Sequence, residues 1–297
     1  MLFEIMVDKS SLYVSSQGFE YGVKHFYCPT EARLSDTLVM ALQMPLQNVM
    51  ELLNLGAVYV QNQRITEDAL IHAGDLCRAH TKPRRYNCSY DWSSLVVYEN
   101  QDFLVLNKPS GIPSHPSVDN RIENSLTQLA LARKTELFIT HRLDTLTAGL
   151  IVYAKNAAFV KSFNIQLQNR MIDKKYVALV ETKHALPPKL IHYMEPSPRA
   201  PKKVSPNFAE GWAQCELEIL DQKILSGYSW IKINLLTGRT HQIRAQVSEM
   251  MAPILGDTLY GSKLPFPANS IALRACELQL NWGAQRLVFS LPENFDF

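Results

Sequence analysis

Apolar residues recur every three or four positions between residues 35 and 55. Leu46, Val49, Met50 and Leu53 share one helical face, with Pro45 before them and Gly56 after them. Proline suits the start of a helix and glycine suits its end, so this spacing predicts a helix between the two. A preceding helix runs through Met44, with Ser35 or Asp36 as its cap. The period then changes. Val58-Tyr59-Val60 and Leu76-Cys77-Arg78-Ala79 read as short strands, with turns at Gln61-Asn62-Gln63 and Gly74-Asp75. Two small helices followed by short strands make one small α/β unit. The basic, proline-containing run Lys82-Pro83-Arg84-Arg85 reads as a linker.

Beyond the linker, strand signals outnumber helical ones. Runs 95–98, 103–107, 148–155, 175–181, 215–220, 228–235, 271–280 and 286–291 predict strands. Runs 157–170 and 241–251 predict amphipathic helices, and the proline-rich stretch 187–206 predicts irregular chain. Strands and helices do not alternate, which argues for an α+β domain over a doubly wound one. The expected division is 1–88 and 89–297.

Composition narrows the class. The chain has 297 residues, with 30 Lys and Arg against 28 Asp and Glu. Hydrophobic residues make up 46% and charged residues 20%, an ordinary globular composition that excludes a wholly disordered chain, a collagen-like chain and a coiled-coil rod. The net charge of +2 gives no global sign of a nucleic-acid partner, but its distribution does. Residues 1–88 hold 8 basic and 9 acidic residues, and residues 89–297 hold 22 and 19. Residues 170–203 alone hold 8 against 3, with Lys174, Lys175, Lys202 and Lys203 prominent. Such a run is a solvated face unless a nucleic-acid site lies beside it.

Residues 1–9 lack a basic region followed by an apolar stretch, and no apolar run reaches the length of a membrane span. Five scattered cysteines read as reduced thiols, so a cytoplasmic location is expected. His72, Cys77, His80 and Cys88 lack the paired spacing of a zinc knuckle, so no metal is expected. No glycine-rich phosphate loop and no G-x-G-x-x-G is present, so no nucleotide cofactor is expected either.

Two clusters carry candidate chemistry. In Thr140-His141-Arg142-Leu143-Asp144-Thr145-Leu146-Thr147-Ala148-Gly149-Leu150, polar groups gather just before an apolar strand. That is a common place for a site on a rigid scaffold. A turn capped by Asp144 and paired with Arg142 is the plainer reading. In Thr237-Gly238-Arg239-Thr240-His241-Gln242-Ile243-Arg244, Gly238 permits a tight turn and Thr240 is placed to cap the following helix. His241 and Arg244 then crowd positive charge at a helix start, against the dipole. That is odd unless an anion or carboxylate faces them.

Together, H-R-L-D-x-x-T-x-G-L at 141–150 and T-G-R-T-H-Q-I-R at 237–244 resemble the RluA-type pseudouridine synthases. Supporting segments follow the family's order. They are Asn107-Lys108-Pro109-Ser110-Gly111, Lys175-Tyr176-Val177-Ala178-Leu179, and Pro253-Ile254-Leu255-Gly256-Asp257 through Tyr260-Gly261. The resemblance covers about residues 95–297. Less closely, Arg33-Leu34-Ser35-Asp36, Gly56-Ala57-Val58-Tyr59-Val60 and Gly74-Asp75 are similar to an S4 RNA-binding domain. Ala148, Thr182 and Met251 depart from the family pattern, at or near positions usually held by Ser, Gly and Gly.

The resemblance implies an α+β catalytic domain with a mixed, mainly antiparallel sheet flanked by helices. It implies isomerisation of uridine in structured RNA, most of all ribosomal RNA, without cofactor or metal. It assigns Asp144 as the catalytic carboxylate, attacking the sugar or stabilising positive charge on it. It assigns Arg244 as the forked partner of that carboxylate and Tyr176 as the tyrosine that stacks on the base. The base must be extruded from folded RNA to reach them. Arg142, Arg239 and Lys108 are then candidate RNA contacts, and His141 and His241 either contact RNA or order their turns. A non-catalytic RNA-binding ribosome-assembly factor on the same fold is the alternative, and a nucleoside hydrolase would need a second carboxylate acid.

Overall fold

The computed structural model describes residues 22–295. The reading of residues 1–9 lies outside them. The chain divides into two compact units, Met1–Tyr86 with Pro116–Thr127, and Asn87–His115 with Gln128–Phe297. The return of 116–127 to the first unit is not signalled in the sequence.

The first unit contains β1 (Val23–Tyr27), β2 (Ala32–Arg33), α1 (Leu34–Leu42), α2 (Leu46–Leu55), β3 (Val58–Val60), β4 (Gln63–Ile65), β5 (Leu70–Ile71) and β6 (Leu76–His80). Its sheet runs β1-β6-β3-β4, and β2 pairs with β5. Phe26, Leu34, Leu38, Val49, Leu53 and Val58 fill its core. Helix α2 starts after Pro45 and ends at Gly56, whose φ of 67° is the left-handed stop that glycine adopts freely. Helix α1 departs from expectation. Neither Ser35 nor Asp36 is its cap, because Ser35 already lies in the first turn. Its amide donates to Asp68 Oδ1 at 2.9 Å, and its hydroxyl to Asp68 Oδ2 at 3.0 Å. A carboxylate 33 residues away thus satisfies a donor at the start of this helix. The 116–127 segment is held by Arg84, which grips the Asp119 carboxylate through Nε and Nη2 at 2.9 and 2.7 Å.

The second unit contains β7 (Val96–Glu99), β8 (Phe103–Lys108), β9 (Phe138–Ile139), β10 (Ala148–Ala154), α4 (Ala157–Gln168), β11 (Asp173–Val180), β12 (Lys189–Met194), β13 (Val204–Ser205), β14 (Ala213–Ile224), β15 (Ser229–Leu235), α5 (Gln242–Glu249), β16 (Leu273–Trp282) and β17 (Gln285–Ser290). Helix α3 (Ser125–Arg133) carries the chain back into it. Among the described residues these strands form one eleven-stranded sheet, ordered β13-β12-β14-β15-β11-β16-β10-β8-β7, with β17 on β16 and β9 on β10. Its pairings are antiparallel except that of β10 with β16. The expected α+β architecture with a mixed, mainly antiparallel sheet is therefore present. The stretch 187–206 is less irregular than its prolines suggest. In β12, Leu190, His192 and Met194 alternate inward, and the ladder to β14 extends it over six residues.

Every residue of β10 is buried. Leu150, Val152 and Ala154 join Phe103, Phe159 and Phe163 in one apolar core beneath α4. A strand buried along its whole length makes a rigid support for the loop that enters it, residues 140–147. No helix among the described residues is long and apolar enough to cross a membrane. No group of three or more His, Cys, Asp or Glu among them is placed to hold a metal.

Candidate active site

Two strands flank β16 at one level. Gly149 of β10 and Tyr176 of β11 both lie opposite Ala275. Gly149 permits the approach: a Cβ there would stand 2.2 Å from the Ala275 carbonyl oxygen, and its φ is 109°. This brings the loop ahead of β10 to the strand that carries Tyr176.

That loop is pinned from below. Ser114 Oγ donates to the Leu143 carbonyl at 2.8 Å, and the Leu143 amide returns to Ser114 Oγ at 3.0 Å. Ser110 Oγ donates to the Leu146 carbonyl at 2.5 Å, and Thr140 Oγ1 to the Val152 carbonyl at 2.6 Å. Lys108 is fully buried, and its ammonium donates to the carbonyls of Pro109 and Ile112, each at 2.8 Å, and Thr145 at 3.4 Å. Burial pushes its pKa down to about 7, against the opposing pull of Asp144. Lys108 was expected at RNA phosphates. A buried lysine nitrogen enclosed by three carbonyls braces the loop instead.

Asp144 sits at the tip, its side chain 21% exposed. Arg244 Nη1 lies 3.5 Å from Asp144 Oδ2, and His241 Nε2 lies 3.8 Å from the same oxygen. The forked hold expected between Arg244 and Asp144 is elsewhere. Arg244 Nε donates to Asp257 Oδ2 at 2.6 Å, and Nη2 to Asp257 Oδ1 at 2.8 Å. The guanidinium also lies 4.9 Å from the centre of the Tyr260 ring. Burial disfavours the Arg244 charge, but Asp257 and Asp144 outweigh it and raise its pKa. Asp257 thus aims the arginine, and one remaining nitrogen meets Asp144.

Tyr176 is buried. Burial, and then the negative charge of Asp144, push its phenol well above the ordinary range, so it stays protonated.

The helix carrying Arg244 starts unlike the expectation. Thr240 does not cap α5. His241 holds the cap position in left-handed conformation, φ 58°, without a side-chain cap bond. Gln242, in the first turn, braces the preceding loop: its Oε1 accepts from the Arg239 amide at 3.1 Å and from Thr237 Oγ1 at 2.8 Å. The His241 turn places Nδ1 3.1 Å from the Tyr260 hydroxyl and Nε2 toward Asp144. Burial lowers the His241 pKa, and the nearby Arg244 lowers it further, against the pull of Asp144.

The remaining expected contacts split by exposure. Arg142 is exposed, and its Nη2 donates to Thr240 Oγ1 at 3.2 Å, joining the two clusters at the surface. Arg239 is exposed and held by the Gln214 carbonyl at 3.0 Å. His141 orders its turn: Nε2 accepts the Val152 amide at 3.1 Å, and the ring stacks on Phe163. Burial takes its pKa down to about 3, so the ring is neutral. Asp257 and Tyr260, in the segment 253–261, carry no local signal in the sequence for their contacts with Arg244 and His241. Met251, near a position usually held by glycine in the family, has φ 56°, in the left-handed region that glycine adopts most freely.

The RNA pseudouridylate synthase family profile matches residues 102–249, spanning both clusters. An uncharacterized RNA pseudouridine synthase of Mycoplasma genitalium is 30% identical over 259 residues, covering 80% of each chain. The chain belongs to the RNA pseudouridine synthases of the RluA type. RNA pseudouridine synthase 6, chloroplastic, of Oryza sativa is 34% identical over 223 residues, 66% of this chain and 46% of that one. The chain thus spans about half the length of its chloroplastic relatives. A Buchnera aphidicola relative, 28% identical over 74% of each chain, is named ribosomal large subunit pseudouridine synthase C. The solved structure of human RNA pseudouridylate synthase domain containing 1 superposes with a TM-score of 0.53 at 25% identity, over 66% of this chain and 82% of that one.

Proposed function

We propose that this family member isomerises uridine in structured RNA, with ribosomal RNA as the substrate class and the cytoplasm as the place of action. The observation that carries the reading is a single carboxylate, Asp144, met by a buried arginine that a second carboxylate holds in place. The family membership and the ribosomal name of the Buchnera relative support it.

In this reading the N1–C1′ bond of uridine breaks beside Asp144, which attacks C1′ or stabilises its positive charge. The uracil turns and C5 bonds to C1′. The hydrogen on C5 leaves as a proton and N1 takes one up, so no redox partner is needed. Tyr176, kept protonated, stacks against the base and offers a hydroxyl for that exchange. Arg142 and Arg239, exposed beside the site, contact the extruded nucleotide or its phosphates. The first unit is assigned as an S4-like RNA-binding module on the order of its motifs.

The test uses total RNA from source cells lacking the protein, labelled with tritium at uridine C5. Tritium release that depends on the protein is the expected result, and size fractions identify the RNA. Release from transfer RNA alone would replace the ribosomal assignment, and no release from any fraction would remove the enzymatic one.

A further inference from the structure

Strand β11 carries two adjacent lysines with opposite fates. Lys175 Nζ is tied to Glu277 Oε1 at 2.7 Å. Lys174, on the other side of the strand, has no hydrogen bond or ion pair among the described residues. It is half-buried, and it lies two residues before Tyr176, so both project from the same strand face. Its ammonium reaches the turn that opens the second cluster. A Cβ on Gly238 would stand 3.0 Å from Lys174 Nζ, so glycine leaves room for the ammonium there. Gly238, Arg239 and Thr240 are exposed, so the turn beside that ammonium is open to a ligand.

We propose that Lys174 is a substrate-positioning residue that binds a backbone phosphate next to the extruded uridine. The inference rests on the proposed RNA isomerase reading and adds a residue and a ligand group to it. An ammonium largely withdrawn from water and with no protein acceptor among the described residues is poorly compensated, and here burial lowers its pKa. A phosphate oxygen supplies the missing acceptor and restores the charge. The alternation along β11 then separates two roles. Lys175 ties adjacent strands together, while Lys174 meets the RNA.

The test compares wild type with Lys174→Met and Lys174→Arg on the same tritiated total RNA, over a series of salt concentrations. Wild-type release must be seen first, and its absence would overturn the isomerase reading before Lys174 is judged. Given release, Lys174→Met is expected to lower kcat/KM about tenfold, mainly through KM. The slope of log kcat/KM against log salt should become shallower by about 0.7 to 0.9, the change for one lost phosphate contact. Lys174→Arg should restore most of both. The thermal midpoint of Lys174→Met should equal or exceed that of wild type, because an unpaired cation is removed. An unchanged salt slope, or a lower midpoint that Lys174→Arg does not repair, would overturn the proposal and make Lys174 structural.

Discussion

Arg244 closes both arms of its fork on Asp257, at 2.6 and 2.8 Å, and reaches Asp144 with its one remaining nitrogen at 3.5 Å. Asp257 is 1% exposed in its side chain and Arg244 4%. Breaking such a pair leaves a buried charge without compensation, which costs about 3–5 kcal/mol. Asp257→Ala is therefore expected to lower stability by about that amount in urea unfolding, and to abolish tritium release. Arg244→Lys retains charge without the fork, and its rate should fall on the order of a hundredfold. Wild-type rates in both variants would show that the fork does not aim the site.

Asp144 is the one carboxylate at the loop tip, so Asp144→Asn tests chemistry with little change of shape. Tritium release should fall below detection while filter-binding affinity for RNA stays within a few fold. Residual release near the wild-type rate would rule out the carboxylate as the reacting group.

Gly149→Ala places a methyl 2.2 Å from the Ala275 carbonyl oxygen, in a backbone conformation that L side chains avoid. The β10–β16 pairing must open to admit it. A loss of about 2–4 kcal/mol is expected in urea unfolding, with a matching loss of activity. A variant as stable and active as wild type would show that the two strands do not need this close approach.

His141 has a folded pKa of about 3, below its ordinary 6.5. The folded state therefore binds fewer protons than the unfolded state between those values. The neutral ring's full contribution is present above pH 6.5 and is lost as pH falls toward 3, at up to about 1.4 kcal/mol per pH unit. His141→Gln keeps an acceptor for the Val152 amide and removes the titration. Its stability should fall less steeply than wild type between pH 6.5 and 4, and parallel curves from urea unfolding would refute this account.

Lys108 meets three carbonyls and no solvent. Lys108→Met should weaken the loop and lower the rate, yet leave the salt slope of RNA binding as in wild type. A shallower slope would return Lys108 to the phosphate contacts.

The amino-acid sequence was enough to place both motif clusters, the α+β class and most strands, because these depend on local spacing and on the alternation of apolar residues. Its motifs singled out Asp144, Tyr176 and Arg244. Tertiary structure decided what those groups touch. Asp257 aims Arg244 across 13 residues, and Lys108 turns from a surface cation into a buried brace. Asp68 serves α1 from 33 residues away, and 116–127 returns to the first unit. Each of these is a long-range pairing, and a buried charge takes whichever partner the packed chain brings within reach. Local pattern records the residue type and its element, while the partner is set only when the sheet closes around Ala275.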